Sequence, residues 1–256
     1  MKQSPRLKRW LALAFTLLPL KSLPAQATFL EETFSSTTME KLAANGWRFE
    51  SDSVARLVRD RTGEQVLAVA PNSEKKTTIE FTQKFEQIPP EQVWYSISLK
   101  PNRAHNAKTP PPPTSSPVGF YFNRSGDLVV YDGRSERGWE VYELGPLAIP
   151  EVPFDYLTIA VVLDYRYQAW SIWLDGKRIA SNLGFAFLTE ARPALTIEQS
   201  AKNPVMLDRV TITSRRPDGL AGSTGIGEDG DPELMFPVRS AVHKPQQDLD
   251  LFVPLE

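Results

Sequence analysis

Apolar and polar residues alternate with a period of two through short stretches between Phe29 and Thr213. Successive side chains of a β-strand point to opposite faces, so this alternation predicts strands that bury one face. Clusters of Gly, Pro, Asn and Asp separate the stretches, as expected of turns. The predicted strands are 29–34, 54–58, 66–70, 78–81, 93–99, 118–123, 128–131, 139–143, 156–164, 168–174, 194–198 and 206–213.

One short helix is predicted, in the stretch STTMEKLAANG. Ser36 or Thr37 can cap its first turn, good helix formers follow, and Gly46 stands where a left-handed C-terminal cap is needed. Many short strands without a long helix are typical of two antiparallel sheets packed on each other. The sequence therefore predicts an all-β fold, a two-sheet antiparallel sandwich or jelly roll with one short helix.

Residues 1–27 have the layout of a secretory signal peptide. A basic opening is followed by an apolar run over 10–20, and the segment ends in Ala25-Gln26-Ala27, a small-x-small pattern. The apolar run is too short to span a bilayer comfortably, although an uncleaved anchor is the alternative. We expect a secreted or periplasmic protein that begins near Thr28 and does not insert into the membrane after cleavage.

The charge and cysteine content exclude several classes of function. The chain has 29 Lys and Arg against 31 Asp and Glu, and residues 1–27 contain five of the basic residues and none of the acidic ones. The remaining chain therefore carries a net charge of −7, which argues against nucleic acid or an anionic membrane as a partner. Without any cysteine there is no disulfide framework, thiolate metal site or cysteine nucleophile.

A hairpin is predicted in the stretch YLTIAVVLDYRYQAWSIWLDGKRIASNLGF. Asp175-Gly176 supports the positive backbone angles of a tight turn, so residues 177–180 should return as a short strand. With the LDRVTIT strand and the opening FLEETF strand, this hairpin resembles the laminin G-like and concanavalin A-like sandwiches, in which aromatic-x-aliphatic-x-aliphatic-Asp-Gly-Lys recurs. The resemblance covers residues 29–213.

The resemblance implies a curved sandwich, here residues 28–213, in a superfamily whose members bind glycans or proteins, sometimes through calcium. Some members cleave polysaccharides, through a Glu-x-Asp-x-x-Glu or Glu-x-Asp-x-Glu strand or through a Gln-x-His strand. Neither pattern occurs in a predicted strand: Asp248-Leu249-Asp250 lies in the tail, and His105 and His243 lie outside the strands. We therefore expect no enzymatic activity, with an unrecognised polysaccharide lyase or hydrolase as an alternative.

No metal site and no cofactor are expected, because two histidines and no cysteine leave too few ligands for a transition metal. Calcium stays open, since it takes carboxylate and carbonyl oxygens from loops. The stretch GEDGDPE is rich in oxygen ligands but lacks the acid spacing of a calcium loop. Asp132 and Asp164 end predicted strands, where aspartate usually forms a turn.

Trp170 and Trp173 lie on one strand and face opposite sides of the sheet. Trp170 is predicted in the core, whereas Trp173 should share the other face with Tyr165 and Tyr167. Flat aromatic rings stack on the apolar faces of sugars, and nearby polar groups bind the hydroxyls. The alternative is a second packed layer over Trp173, because large rings are mostly buried. The candidate ligand-binding residues are Trp173, Tyr165, Tyr167, Tyr121, Asn123 and Asp132.

Two segments interrupt the strand pattern. Residues 101–117 contain four consecutive prolines and predict a surface loop that either borders a binding groove or is a tolerated insertion. Residues 214–256 turn to Gly, Pro and acid and end in LDLFVPLE, which predicts a flexible linker and C-terminal tail. The leading hypothesis is a non-catalytic recognition module for a glycan or another extracytoplasmic surface. The alternative is a structural or assembly protein whose tail docks on a neighbouring subunit.

Overall fold

A computed structural model describes residues 27–49, 55–70, 77–82, 90–100, 110–144, 156–199 and 204–227. These ranges form antiparallel strands and one short helix, which confirms the predicted all-β fold class. The predicted signal peptide, apart from Ala27, and residues 228–256 lie outside the described residues. The strands are β1 Thr28–Glu32, β2 Trp47–Phe49, β3 Ala55–Arg59, β4 Gln65–Val69, β5 Thr77–Thr82, β6 Gln92–Lys100, β7 Phe120–Phe122, β8 Leu128–Tyr131, β9 Trp139–Tyr142, β10 Leu157–Asp164, β11 Ala169–Leu174, β12 Lys177–Gly184, β13 Ala194–Gln199 and β14 Val205–Thr213.

The helix α1, Met39–Ala44, follows a 3₁₀ turn at Phe34–Ser36. Its cap is Thr38, whose hydroxyl accepts from the backbone amide of Lys41 at 3.3 Å, so the helix begins slightly later than predicted. Gly46 has a φ of +98°, as its predicted role at the helix end requires. None of the described helices is long and apolar enough to cross a membrane.

The strands form one large sheet and two small ones. The large sheet has the order β12-β11-β10-β6-β14-β4-β3, and β1 pairs with β14 beside β4. The small sheets are β13-β5-β2 and β7-β8-β9. The predicted hairpin joins β11 and β12 through Asp175 and Gly176, with φ values of +46° and +78°. The return strand is longer than predicted and continues to Gly184.

Both small sheets pack on the same face of the large sheet. One continuous cluster of buried side chains joins Trp170 and Ile172 of the large sheet to Phe81 of β5 and Phe122 of β7. Alternate residues of the central strands contribute to this cluster, as the period of two predicts. The result is the two-layer antiparallel sandwich that the resemblance to concanavalin A-like domains implies.

The opposite face of the large sheet carries a second apolar cluster. Trp94 and Trp173 lie at its centre, with ring centroids 5.5 Å apart, and Ile226 is buried against them. Ile226 belongs to residues 214–227, named here the C-terminal strap, which crosses this face. The guanidinium of Arg216 lies 5.8 Å from the ring of Trp94 and 6.0 Å from that of Trp173.

The predicted domain boundary at Thr213 is therefore too early, and the first part of the predicted flexible linker is packed structure. Glycines suggested a linker, but Gly219, Gly222 and Gly225 adopt positive φ values that let the strap turn tightly on the sheet. The strap then offers its backbone carbonyl oxygens to side chains of β11 and β12. The sandwich extends at least to Gly227.

Candidate functional site

The two tryptophans of β11 are both fully buried, each at 0% exposure. Trp170 lies in the main core, and its Nε1 donates to the carbonyl oxygen of Tyr131 at 3.2 Å. Trp173 lies on the opposite face, as its parity predicts, but under the C-terminal strap. The predicted open platform at Trp173 is wrong, because its ring cannot contact a ligand while the strap is in place. The alternative of a second packed layer is the one that the structure shows.

Tyr165 does not share a surface with Trp173, whereas Tyr167 lies beside Gly227 of the C-terminal strap that covers Trp173. Tyr165 packs against the main core, with its ring 5.5 Å from that of Phe185, and burial raises the pKa of its phenol. Tyr167 is 37% exposed, with the guanidinium of Arg166 at 5.3 Å from its ring centroid. The prediction assumed that the alternation of side chains in β11 continues back through the turn that follows β10. A turn does not preserve the alternation of a strand.

Asn123 and Asp132 hold turns together. The Asn123 Oδ1 accepts from the backbone amide of Asp127 at 2.9 Å and closes the turn between β7 and β8. The Asp132 Oδ1 accepts from the amide of Gly184 at 2.7 Å and from that of Arg134 at 2.9 Å. Asp132 therefore connects the end of β8 to the end of β12. Its Oδ1 atom already accepts two hydrogen bonds from backbone amides.

Tyr121 lies in a cluster of aromatic rings on the small sheet β7-β8-β9. Its ring centroid is 5.3 Å from that of Trp139, and the ring centroid of Tyr131 is 5.2 Å from that of Trp139. Both pairs meet edge to face, at 72° and 74°. This set is named here the aromatic face.

The strand register explains why these rings share one face. Phe122 and Leu128 are directly opposite each other and point into the main core. The alternate positions, including Tyr121 and Tyr131, therefore point away from it, and Tyr131 is paired with Trp139 across β8 and β9. All three rings are half-buried, so each keeps part of its surface available to solvent.

The sequence placed Tyr131 and Trp139 in predicted strands but did not identify them as site residues. They are separated along the chain from Tyr121, and only the register of three strands brings the rings together. The available signal was a Tyr or Trp at an end of each of the two short strands LVVY and WEVY. These end positions do not show that the rings share a face of the sheet unless the pairing of the strands is known.

The described part of the proline-rich loop borders the aromatic face. A Cβ atom on Gly119 would lie 2.8 Å from Cγ of Pro113 and 3.3 Å from Cη2 of Trp139, so both rings pack close to this glycine. The loop is fixed by Arg192, whose Nη2 donates to the carbonyl oxygen of Ser115 at 3.1 Å. Residues 101–109 of the loop lie outside the described residues.

The Nε1 atom of Trp139 is buried and has no hydrogen-bond acceptor among the described residues. A buried donor without an acceptor costs about 1–3 kcal/mol. Val141, two residues further along β9 on the same face, is 59% exposed. The aromatic face therefore combines an unsatisfied donor, three half-buried rings and an exposed aliphatic side chain on a rigid sheet.

No described side chains form a cluster of three or more His, Cys, Asp or Glu residues that could hold a metal ion. Asp164, which ends a predicted strand, is buried and accepts from Gln92 Nε2 at 2.8 Å and from the amide of Arg166 at 3.0 Å. Its carboxylate thus shapes the turn after β10. The calcium alternative and the expectation of no cofactor stay predictions.

No family model matches the sequence, and no curated protein matches it. The chain is similar to a sialidase, at 12% identity over 82% of this chain and 17% of the sialidase, with a TM-score of 0.44. It is similar to the carbohydrate recognition domain of Emp47p, at 11% identity over 73% and 96% of the two chains, with a TM-score of 0.37. It is also similar to domain 4 of AbnA, a GH43 extracellular arabinanase from Geobacillus stearothermophilus solved with arabinotriose, at 10% identity over 73% and 92%, with a TM-score of 0.43. The chain spans less than a fifth of the sialidase's length.

Proposed function

We propose that this protein is an exported, non-catalytic module that binds a glycan on the aromatic face. The observation that carries the proposal is the cluster in which Tyr121 and Tyr131 meet the ring of Trp139 edge to face. Edge-to-face contacts fix the orientation of the central ring without covering all of it. A sugar can then stack its apolar C–H face on an aromatic surface that needs no rearrangement.

The surroundings of the rings fit a polar ligand with an apolar face. The ring of Trp139 is half-buried, so part of its surface is open to a ligand, although its Nε1 atom is itself buried. Val141 extends the apolar surface along β9. Short strands joined by turns whose polar groups are hydrogen-bonded make a rigid support, which lowers the entropy cost of binding.

The absence of catalysis is part of the proposal. Hydrolysis of a glycosidic bond with retention uses two carboxyl groups about 5 Å apart, and inversion uses two that are somewhat further apart. Three carboxylates near the rings in sequence already accept hydrogen bonds within the fold: Asp127 from Asn123, Asp132 from the amides of Arg134 and Gly184, and Glu140 from the hydroxyl of Tyr142. We expect no release of reducing ends or unsaturated products from any polysaccharide that the protein retains.

Affinity gel electrophoresis with soluble polysaccharides tests the proposal. Trp139→Ala and Tyr121→Ala should weaken retention by about tenfold or more, as for a central aromatic contact worth over about 1.4 kcal/mol. Leu188→Ala is the matched control, because Leu188 is 76% exposed and lies outside the aromatic face. Tyr167→Ala is a second control, since Tyr167 was predicted to bind but lies apart from the cluster.

Two results would contradict the proposal. Retention that is unchanged in Trp139→Ala, with thermal melting showing a folded protein, would remove the aromatic face as the site. An equally large loss of retention in Leu188→Ala or Tyr167→Ala would mean that the loss in Trp139→Ala is not specific to the aromatic face.

A further inference from the structure

A cleft of about 190 Å³ lies between the end of β9 and the start of β12. Its base is apolar, because Leu144 is buried and Ile179 packs against the main core, while Lys177 and Arg178 are exposed. Drug-sized pockets have about 300–1,000 Å³, so this cleft suits a single small group. Its lining residues are Tyr142, Glu143, Leu144, Lys177, Arg178 and Ile179, and it is named here the β9–β12 cleft.

One residue that lines the β9–β12 cleft, Glu143, follows the outward-facing row of β9 that begins at Trp139. Trp139 and Val141 point away from the core, and the exposed Glu143 continues this alternation, whereas Leu144 is buried. At about 3.3 Å per residue, successive members of this row lie about 7 Å apart. A ligand made of linked sugar rings that stacks on Trp139 therefore reaches the cleft by following the edge of β9.

The charges that line the cleft favour an anionic group. Lys177 and Arg178 provide two positive charges and Glu143 one negative charge, within a chain whose net charge is −2. The Nη1 of Arg178 donates to the carbonyl oxygen of Ser223 at 2.8 Å, which fixes the guanidinium beside the C-terminal strap. Lys177 and Glu143 have no ion-pair partner in the part of the chain that the structure describes.

We infer that the glycan is acidic and that Lys177 and Arg178 bind a carboxylate of one of its sugar residues in the β9–β12 cleft. The inference rests on the proposed function, because the sugar enters the cleft from the aromatic face. An ammonium and a guanidinium form short charge-assisted hydrogen bonds with carboxylate oxygens. The apolar base of Leu144 and Ile179 contacts the ring that carries the carboxylate.

Titration calorimetry with matched ligands tests the inference. An oligogalacturonide and an oligoglucuronide are each used as the free acid and as the methyl ester, which keeps the rings and removes the charge. We expect at least one free acid to bind about tenfold more tightly than its ester, a difference of about 1.4 kcal/mol. That preference should decrease with added salt.

Substitutions test whether the preference for the free acid over the ester arises in the β9–β12 cleft. Lys177→Gln combined with Arg178→Gln should abolish the preference, whereas Glu143→Gln should increase it by removing a repelling charge. Lys41→Gln is the control, because Lys41 is an exposed lysine on α1. Arg178 also holds the strap, so if the double variant does not fold, Lys177→Gln alone and Glu143→Gln decide the question.

The outcomes separate the inference from the proposed function. If acids and esters bind equally, or if the substitutions leave the preference unchanged, the inference is overturned and glycan binding on the aromatic face stands. If neither form binds and no polysaccharide is retained on affinity gels, both the inference and the proposed function are overturned.

Discussion

The indole Nε1 of Trp173 donates a hydrogen bond to the carbonyl oxygen of Ala221 at 2.9 Å, across 48 residues of sequence. Two residues before this tryptophan, the Ser171 hydroxyl donates to the carbonyl oxygen of Thr224 at 2.7 Å. Both donors belong to β11 and both acceptors to the C-terminal strap. The strap thus satisfies two buried polar groups and covers a large ring, which makes it part of the folded domain.

Truncation after Thr213 is expected to destabilise the protein by at least about 3 kcal/mol, because Trp94 and Trp173 each lose part of a burial free energy of about 1.5–3 kcal/mol and the indole loses its acceptor. Truncation after Gly227 is the matched control and should leave the free energy of unfolding unchanged. Urea unfolding followed by circular dichroism measures both. Equal stability of the two truncated proteins would mean that the strap only rests on the sheet.

Trp170→Ala and Trp173→Ala should each reduce the free energy of unfolding by about 3–5 kcal/mol, as for emptying a buried aromatic site. The two losses should be similar because both rings are fully buried, on opposite faces of the large sheet. Leu188→Ala should change stability by less than about 0.5 kcal/mol. Denaturant titrations compare the three variants, and a loss below about 1 kcal/mol for Trp173→Ala would contradict the packed position of its ring.

The sequence predicted most strands because buried faces impose a period of two, as in β10 and β11. It missed β2, whose three residues, Trp47–Phe49, are too few to show a period. It ended β12 too early, since the positive φ of Asn182 lies inside that strand and interrupts the regular register. Short or irregular strands are defined by their partners more than by their own pattern.

The site was harder to predict than the fold. Strand parity correctly separated Trp170 from Trp173, but parity cannot say what covers a face. Trp173 is covered by the Gly-rich C-terminal strap, which accepts hydrogen bonds through its backbone carbonyl oxygens. Every residue has such an oxygen, so the sequence does not show which segment will cover the ring. The aromatic face requires the register of three strands, so the sequence offered Tyr121 as a candidate without its neighbour Trp139.

Glu32 should make stability depend on pH. It is 8% exposed, and its burial raises the pKa of the carboxyl above the ordinary value of 4.5, although hydrogen bonds from Asn45 and Thr33 oppose the shift. The folded protein then holds this proton more tightly than the unfolded chain does, so stability falls as the pH rises from 4.5 to the folded pKa.

Glu32→Gln is expected to remove this part of the pH dependence and to raise the free energy of unfolding at neutral pH relative to the unsubstituted protein. Urea titrations at a series of pH values above and below 4.5 measure the effect. Glu31→Gln, at the exposed neighbouring position, is the control and should keep the original profile. Parallel profiles for Glu32→Gln and the unsubstituted protein would show that burial of Glu32 does not perturb its titration.

Gly119→Ala should reduce glycan retention without unfolding the protein. The added Cβ would lie 2.8 Å from Cγ of Pro113 and 3.3 Å from Cη2 of Trp139, so the proline-rich loop and the central ring of the aromatic face must both move. The loop lies at the surface, so we expect the free energy of unfolding to change by no more than about 1–3 kcal/mol, the usual cost of overpacking.

Gly63→Ala is the control for this substitution, because its added Cβ meets nothing within 4 Å and strains only a turn with a φ of +87°. Affinity gels and thermal melting are run on both variants. Retention reduced in Gly119→Ala alone means that the packing of Pro113 and Trp139 around Gly119 shapes the binding surface. Unchanged retention would show that the loop is a tolerated insertion, because glycan binding would then not depend on the position of Pro113.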